Sequence, residues 1–258
     1  MEPVMLRVYD GAQKGATAFF RNRVWLQTLM LQLAALGRER VRVLVHAASI
    51  GAEPYSLALW HHFRGGGEFE LEVHATDLNP RFLELARRGE YPSDLARGLT
   101  EEERGWFEHD GATLRVPDAM RSRVRYLPPM DFVRDRPGGC FDAVLIMNAL
   151  TYVSAAEQGV AIANVAPSAG HLLGLTAFHP DQIQAHLQSV NFEPLTDNHE
   201  AIHNGWGDRL TDRCIDPAST EYSWRLPRYH RNTPDYLSFG IRELTTGAHH
   251  SIHKTSGL

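Results

Sequence analysis

Apolar positions along the chain switch between two spacings, and the switching predicts the elements. Over Ala18–Leu36, the residues Leu26, Leu29, Met30 and Leu33 fall at i, i+3, i+4 and i+7, one face of a helix, and Gly37 supplies a stop. Val41–Ala48, rich in β-branched and apolar residues, has a short buried-strand pattern. Glu53–Phe63 returns to helical spacing, with Pro54 in the first turn, where its missing N–H costs nothing. Leu71–Asp77 is a second strand, after which Asn79-Pro80 pairs a capping side chain with a good first helical residue and opens a helix through Arg88. Thr100-x-x-Glu103 and Ser154-x-x-Glu157 are capping boxes, the second opening a helix to about Ala166. Val124–Pro128, Phe141–Ala149 and His171–Leu175 supply a third, fourth and fifth strand. Pro180 starts a helix with Ile183, Leu187 and Val190 inward, and Phe192 to about Glu243 alternates as antiparallel strands do.

Strands alternating with helices predict a mostly parallel sheet with helices on both faces. The expected layout is a helical N-terminal cap over residues 1–40, one α/β domain over 41–245, and a polar, disordered tail over 246–258.

Composition narrows the function. The chain has 258 residues with 26 Lys+Arg against 31 Asp+Glu, a formal net charge of −5, which disfavours nucleic acid as a partner. No apolar run approaches the ~20 residues that a membrane helix needs. The first ten residues lack the basic stretch and apolar core of a secretory leader. Two cysteines, Cys140 and Cys214, exclude a disulfide scaffold and suit a reducing cytoplasm. Fourteen histidines keep metal open as a question.

In such sheets ligands bind beyond the carboxyl ends of the strands, so chemistry is sought after Ala48, Asp77, Pro128, Ala149 and Leu175. The first loop, Ala47–Ser56, has one glycine where a pyrophosphate binder wants three, and it carries Glu53. A carboxylate there repels phosphate and pairs with an ammonium group; the bland alternative is a tight turn before a helix. Asp77, at the end of the second strand, is suited either to ribose hydroxyls or to capping the next helix. The two loops together suit a nucleoside that carries a cation, the description of S-adenosylmethionine.

Five segments then resemble the catalytic domain of the chemotaxis-receptor glutamate methyltransferases. The family's T-x-F-F-R stands here as Thr17–Arg21, and its first-strand loop as Ala48–Ser56. Its A-T-D-I/L is matched by Ala75–Leu78, its A-R-x-G-x-Y by Ala86–Tyr91, and its F-D-x-I-x-x-R-N-V-x-I-Y-F by Phe141–Val153. The match runs from about Thr17 to Thr176 with the motifs in order.

The resemblance implies a Rossmann-like, seven-stranded class I methyltransferase fold with one antiparallel strand, and an N-terminal helix folded across the cofactor. It implies S-adenosyl-L-methionine as cofactor and S-adenosyl-L-homocysteine as product. Thr17, Arg21, Glu53, Asp77 and Asn148 would line the site: Glu53 on the ammonium, Asp77 on the ribose, and Arg21 on the methionine carboxylate beside the transferring methyl. Ala47, Ala48, Ser49, Leu78 and Ala149 are the adjoining backbone. Met130 and Asp131 fall where such enzymes cover adenine, Met130 reading equally as core filler. Arg21 and Tyr152 are the candidate catalytic groups. A carboxylate acceptor, giving O-methylation, needs no strong base, whereas a hydroxyl or amine needs one, with His179 or Tyr152 nearest.

The departures fall on the acceptor side. The family's acid after the loop glycine is Ala52, its arginine before Asn148 is Met147, and its G-H-S-E is Gly174–Ala177. Its N-terminal helical domain has no room before Thr17, and its receptor-tethering β insertion is not recognisable between Phe192 and Arg225. The acceptor is thus a small molecule or a protein, and oligomeric state is open. Trp206, Tyr222, Trp224 and Tyr229 read as pocket lining or as core and surface aromatics.

A rival motif is His199-Glu200-Ala201-Ile202-His203, an H-E-x-x-H string, which on a helix would hold zinc for a hydrolase. Asn204-Gly205 breaks any helix at once, and the string falls where the fold expects its sixth strand, which would hold the imidazoles about 13 Å apart. The expectation is therefore no metal. The third reading is a non-catalytic S-adenosylmethionine-binding protein.

Overall fold

The computed structural model describes residues 5–11, 13–65, 69–175, 186–195, 197–198, 201–202 and 252–255. The chain opens on a hairpin: β1 (Leu6–Asp10) and β2 (Gln13–Thr17) pair antiparallel around Gly11, whose φ of 58° suits the turn. The expected helical cap is thus half β structure. The helix α1 covers only Arg23–Ala34, because Phe20 sits at φ 47°, which no helix accommodates. Asn22 caps α1, its side chain accepting the Trp25 N–H at 3.0 Å.

β3 (Arg40–His46) leads into α2 (Ala52–Trp60), which ends in a π-helical turn, His61–Gly65. β4 (Glu70–Ala75) leads into α3 (Pro80–Arg88), capped by Asn79 as its sequence predicts. An insertion follows: β5 (Glu90–Pro92), α4 (Glu101–Arg104), β6 (Glu108–Asp110), β7 (Thr113–Arg115) and α5 (Asp118–Arg121). Its strands form a separate antiparallel sheet, β5-β7-β6, so the chain does carry a small β insertion, well before the Phe192–Arg225 stretch. The chain then runs through β8 (Val124–Tyr126), β9 (Phe141–Ile146), α6 (Ala155–Val165), β10 (Ala169–Leu175), β11 (Phe192–Pro194) and β12 (Ile252–Thr255). Both capping boxes form, at Thr100/Glu103 and Ser154/Glu157.

The main sheet has the order β11-β12-β10-β9-β3-β4-β8. Neighbours from β10 to β8 are parallel, and β12 runs antiparallel to both β10 and β11. One expectation is corrected here: within the tail expected to be disordered, Ile252–Thr255 is a strand that fills the slot between β10 and β11. Ladder hydrogen bonds need only backbone groups, so a polar sequence serves. The described strand next in the chain after β10 is Phe192–Pro194; the H-E-x-x-H residues His199, Glu200 and His203 lie outside the described residues, while the Ile202 N–H donates to Asn198 O at 2.9 Å.

Strand residues alternate between two cores. Val43 and Val45 join α1 and α2 on one face, while Leu44 and Ile146 join α6 on the other. β3 has β4 on one side and β9 on the other, so the strand order reverses there and a crevice opens above it. No described helix is long and apolar enough to cross a membrane.

Candidate active site

The loop after β3 is held under strain. Ala47 and Ser49 lie at φ 52° and 51°, and Gly51 at 92°. Left-handed backbone is costly for residues with a Cβ, so the surroundings must impose it. Ala48 N–H donates to Thr76 O at 3.0 Å, Ser49 N–H to Asp77 Oδ2 at 2.8 Å, and the Tyr91 hydroxyl to Ile50 O at 2.8 Å. Gly51 is required twice over, by its φ and because a Cβ would stand 2.5 Å from the Tyr126 hydroxyl. Asn148, just past β9, is a further left-handed residue at φ 57°.

Glu53 lies in the first turn of α2, behind this loop. The Arg21 Nη1 stands 3.9 Å from Glu53 Oε1, with the two side chains 17% and 18% exposed. The strained Phe20 fixes Arg21 here: its N–H donates to Ser56 Oγ at 3.0 Å, and Ser56 Oγ donates to Ala52 O at 2.7 Å. Burial pushes the Glu53 carboxyl up to about 7, with Arg21 and the Asn148 side chain pulling the other way. Arg21 and Glu53 border a small cavity of about 40 Å³ whose walls include Trp25, Val45, Leu145 and Met147.

Asp77 is buried, and it also accepts the Asn79 N–H through Oδ1 at 2.9 Å. Burial raises its carboxyl above the usual range, while backbone bonds from Asn79, Ser49 and Leu78 oppose the shift. Asn79, not Asp77, is the helix cap. Leu78 is 53% exposed beside it. The β8 loop is tied in by Thr76 Oγ1 donating to Pro128 O at 2.7 Å and by Met130 N–H donating to Asp77 O at 3.1 Å. Asp131 caps its own turn, accepting the Val133 N–H at 2.9 Å and facing Arg134 at 3.5 Å. Ala149 is buried.

The structure therefore gathers expected residues in two groups: Arg21 and Glu53 at the cavity, with Asn148 bonded to Glu53, and Ala47–Ser49, Asp77, Leu78 and Met130 around the crevice. Tyr152 is 71% exposed, and no described hydrogen bond ties its side chain to either group. His179, Trp206, Tyr222, Trp224, Tyr229 and the H-E-x-x-H residues His199, Glu200 and His203 lie outside the described residues. Among the described residues no cluster of His, Cys, Asp or Glu is arranged to hold a metal.

Sequence reasoning missed the hairpin. A Cβ at Gly15 would stand 2.5 Å from Ser49 Oγ, so β2 lies directly on the loop after β3. Asp10 accepts from Asn79 Nδ2 at 3.0 Å and faces Arg81 at 3.2 Å. The alternating Leu6–Asp10 run ending in Asp-Gly was a readable hairpin signal. Thr17 and Ser49 both bury hydroxyls with no partner among the described residues. His46, at the end of β3, is also buried; neither ring nitrogen has a described partner, and burial pushes its pKa down to about 4.

This is the architecture of class I S-adenosylmethionine-dependent methyltransferases. The profile described as "CheR methyltransferase, SAM binding domain" matches residues 15–175, and the chain belongs to that family. The "Chemotaxis protein methyltransferase" of Listeria innocua is 35% identical over 144 residues, 54% of this chain and 54% of its own. "Chemotaxis protein methyltransferase 1" of Pseudomonas aeruginosa is 32% identical over 168 residues, 57% of this chain and 59% of its own. The Escherichia coli "Chemotaxis protein methyltransferase" is 30% identical over 150 residues, 55% of this chain and 52% of its own. The chain thus spans about half the length of the curated relatives it matches. Magnesium protoporphyrin IX methyltransferase from Synechocystis, solved with bound SAM, aligns with TM-score 0.42 and 15% identity over 67% of this chain and 72% of that one, too distant to carry an argument.

Proposed function

We propose that the chain binds S-adenosylmethionine across the loops after β3, β4, β8 and β9 and transfers its methyl group to a carboxylate. Glu53 accepts from the α-ammonium, and Arg21 donates to the α-carboxylate in a charge-assisted bond. Asp77 accepts from the ribose; a carboxylate offers about four lone-pair sites, so the backbone bonds it already holds leave room. Leu78 and Met130 flank the adenine, Asp131 accepts from its amino group, and Asn148 and Ala149 face the nucleoside. The buried hydroxyls of Thr17 and Ser49, without partners among the described residues, are further donors for the ligand.

The observation that carries this reading is the Arg21–Glu53 pair, 3.9 Å apart at the cavity. A guanidinium and a carboxylate side by side complement the two charges of an α-amino acid, and pyrophosphate would meet Glu53 unfavourably.

When bound, the sulfonium supplies the electrophile. An acceptor carboxylate oxygen attacks the methyl carbon in line, the carbon–sulfur bond breaks, and its electron pair returns to sulfur, leaving an ester and a neutral thioether. No proton moves, so the residues contribute alignment rather than a base. Arg21 positions the acceptor carboxylate as well as the methionine carboxylate. The acceptor is a small molecule or a protein, and the expected setting is cytoplasmic.

Mass spectrometry of the purified protein, with calorimetry, tests the cofactor. S-adenosylhomocysteine should co-purify or bind in the micromolar range, with NAD far weaker. Tighter binding of NAD would sink the assignment. A non-catalytic binding protein would bind S-adenosylmethionine yet form no methylated product with any carboxylate.

A further inference from the structure

Arg21 sits in a segment that the insertion after α3 grips on both sides. Just before it, the Phe19 ring meets the Tyr91 and Phe107 rings edge-on, with centroids 4.9 and 4.8 Å apart. The left-handed Phe20 meets Trp106 edge-on at 5.3 Å, and Trp60 of α2 completes the trio at 6.0 and 6.3 Å. Just after it, Arg23 donates through Nε and Nη2 to the two oxygens of Glu103, each at 2.7 Å, and through Nη2 to Gly98 O at 3.0 Å. The Glu103 side chain is fully buried, and its Oε2 also accepts the Thr100 N–H at 2.8 Å. Burial pushes its carboxyl up, but the bonds from Arg23 and Thr100 outweigh this and hold it below the usual range. Tyr91, Gly98, Glu103, Trp106 and Phe107 all lie within the insertion, residues 90–121.

We infer that this insertion positions Arg21 for the amino-acid end of the cofactor, with Glu103 and Trp106 as the positioning residues. The inference rests on the methyl-transfer reading above and adds to it an element outside the cofactor loops. Neither side chain has to touch the ligand. A left-handed residue with a Cβ persists only where its surroundings impose it, and Trp106 is part of what surrounds Phe20. A two-pronged Arg–carboxylate pair fixes direction as well as distance, so Glu103 fixes where α1 begins. Between Phe20 and Arg23 stand Arg21 and Asn22, and Asn22 is held as the helix cap. The Arg21 backbone is therefore pinned at both ends. Loosening either end lets its guanidinium drift from Glu53, now 3.9 Å away. The adenosine end of the cofactor, held by other loops, would not feel that drift.

Calorimetry on the full chain with S-adenosylhomocysteine and 5′-methylthioadenosine tests this in Glu103→Gln and Trp106→Leu. Glu103→Gln removes the charge that Arg23 grips, and Trp106→Leu keeps apolar bulk without the ring and carries the test should Glu103→Gln not fold. Each should cut the preference for S-adenosylhomocysteine by about threefold or more while 5′-methylthioadenosine binds as in wild type. In an Arg21→Ala background neither substitution should lower S-adenosylhomocysteine affinity further, because the effect runs through Arg21. A merely structural role would weaken both ligands alike and would persist in that background. Either of those results, or an unchanged preference in both variants, would overturn the inference while leaving the cofactor reading intact. Absence of the preference in wild type would overturn both.

Discussion

The two carboxylates at the crevice, Glu53 and Asp77, follow neighbouring strands yet are held in opposite ways. Asp77 is part of the scaffold: it accepts backbone N–H groups from Ser49 and Asn79 and so ties the loop after β3 to the loop after β4. Glu53, bonded to the Asn148 side chain, takes no described backbone N–H. It faces a guanidinium at 3.9 Å across a cavity, and burial leaves it far more basic than an ordinary carboxylate. The same side-chain chemistry thus shapes the site in one place and waits for a ligand in the other.

The sharpest way to break this comparison is to remove each acid in turn. Asp77→Ala deletes two charged hydrogen bonds and frees a strained loop, so stability should fall by about 3 kcal/mol or more, and cofactor binding should collapse with it. Thermal denaturation and calorimetry read both. Glu53→Gln should leave stability near that of wild type and weaken S-adenosylhomocysteine by about 1–3 kcal/mol. Equal stability losses in the two variants would erase the distinction.

Arg21→Ala sharpens it further. Cofactor affinity should fall by a similar amount, about 1–3 kcal/mol, and single-turnover rate at saturating cofactor should also drop, because Arg21 aligns the acceptor. Glu53→Gln should show the first effect without the second.

Much of this site was legible in the chain itself. Glu53 and Asp77 stand at strand ends that the α/β pattern marks, Arg21 came only through the family resemblance, and Asn79-Pro80 announced its helix start. What escaped notice was short or imposed from outside. Strands of three residues, as in the 90–115 insertion, carry no periodicity to read. The left-handed conformations of Ala47, Ser49 and Asn148 are forced by neighbours remote in sequence. The same holds for the buried His46, whose ring meets Phe132 of the β8 loop edge-on with centroids 6.4 Å apart. The H-E-x-x-H string lies outside the described residues, so its expected strand stays an expectation.

A smaller effect lies in the pH dependence. Folded Glu53 keeps its proton to about 7, against an ordinary 4.5, so its contribution to the empty protein's stability is lost as pH rises through that window. His46 acts oppositely: folded, it stays neutral down to about 4 against an ordinary 6.5, so stability is lost as pH falls between those values. The two partly cancel in stability, which makes affinity the cleaner readout. S-adenosylhomocysteine affinity should rise with pH and level off above about 7, because the ammonium needs the ionised Glu53. In Glu53→Gln the rise should vanish. The smallest expected change is His46→Leu, which should raise stability at neutral pH by about 1 kcal/mol by removing a buried donor that has no partner among the described residues. It should also flatten the acid limb of the stability profile.

The central claim is that Arg21 and Glu53 grip the amino-acid end of the cofactor. Calorimetry with S-adenosylhomocysteine and with 5′-methylthioadenosine, which lacks that end, tests it directly on wild type and Glu53→Gln. Wild type should prefer S-adenosylhomocysteine by about tenfold or more, and Glu53→Gln should lose most of that preference while binding 5′-methylthioadenosine as before. Equal affinity of wild type for the two ligands, or a preference untouched by the substitution, would contradict the account.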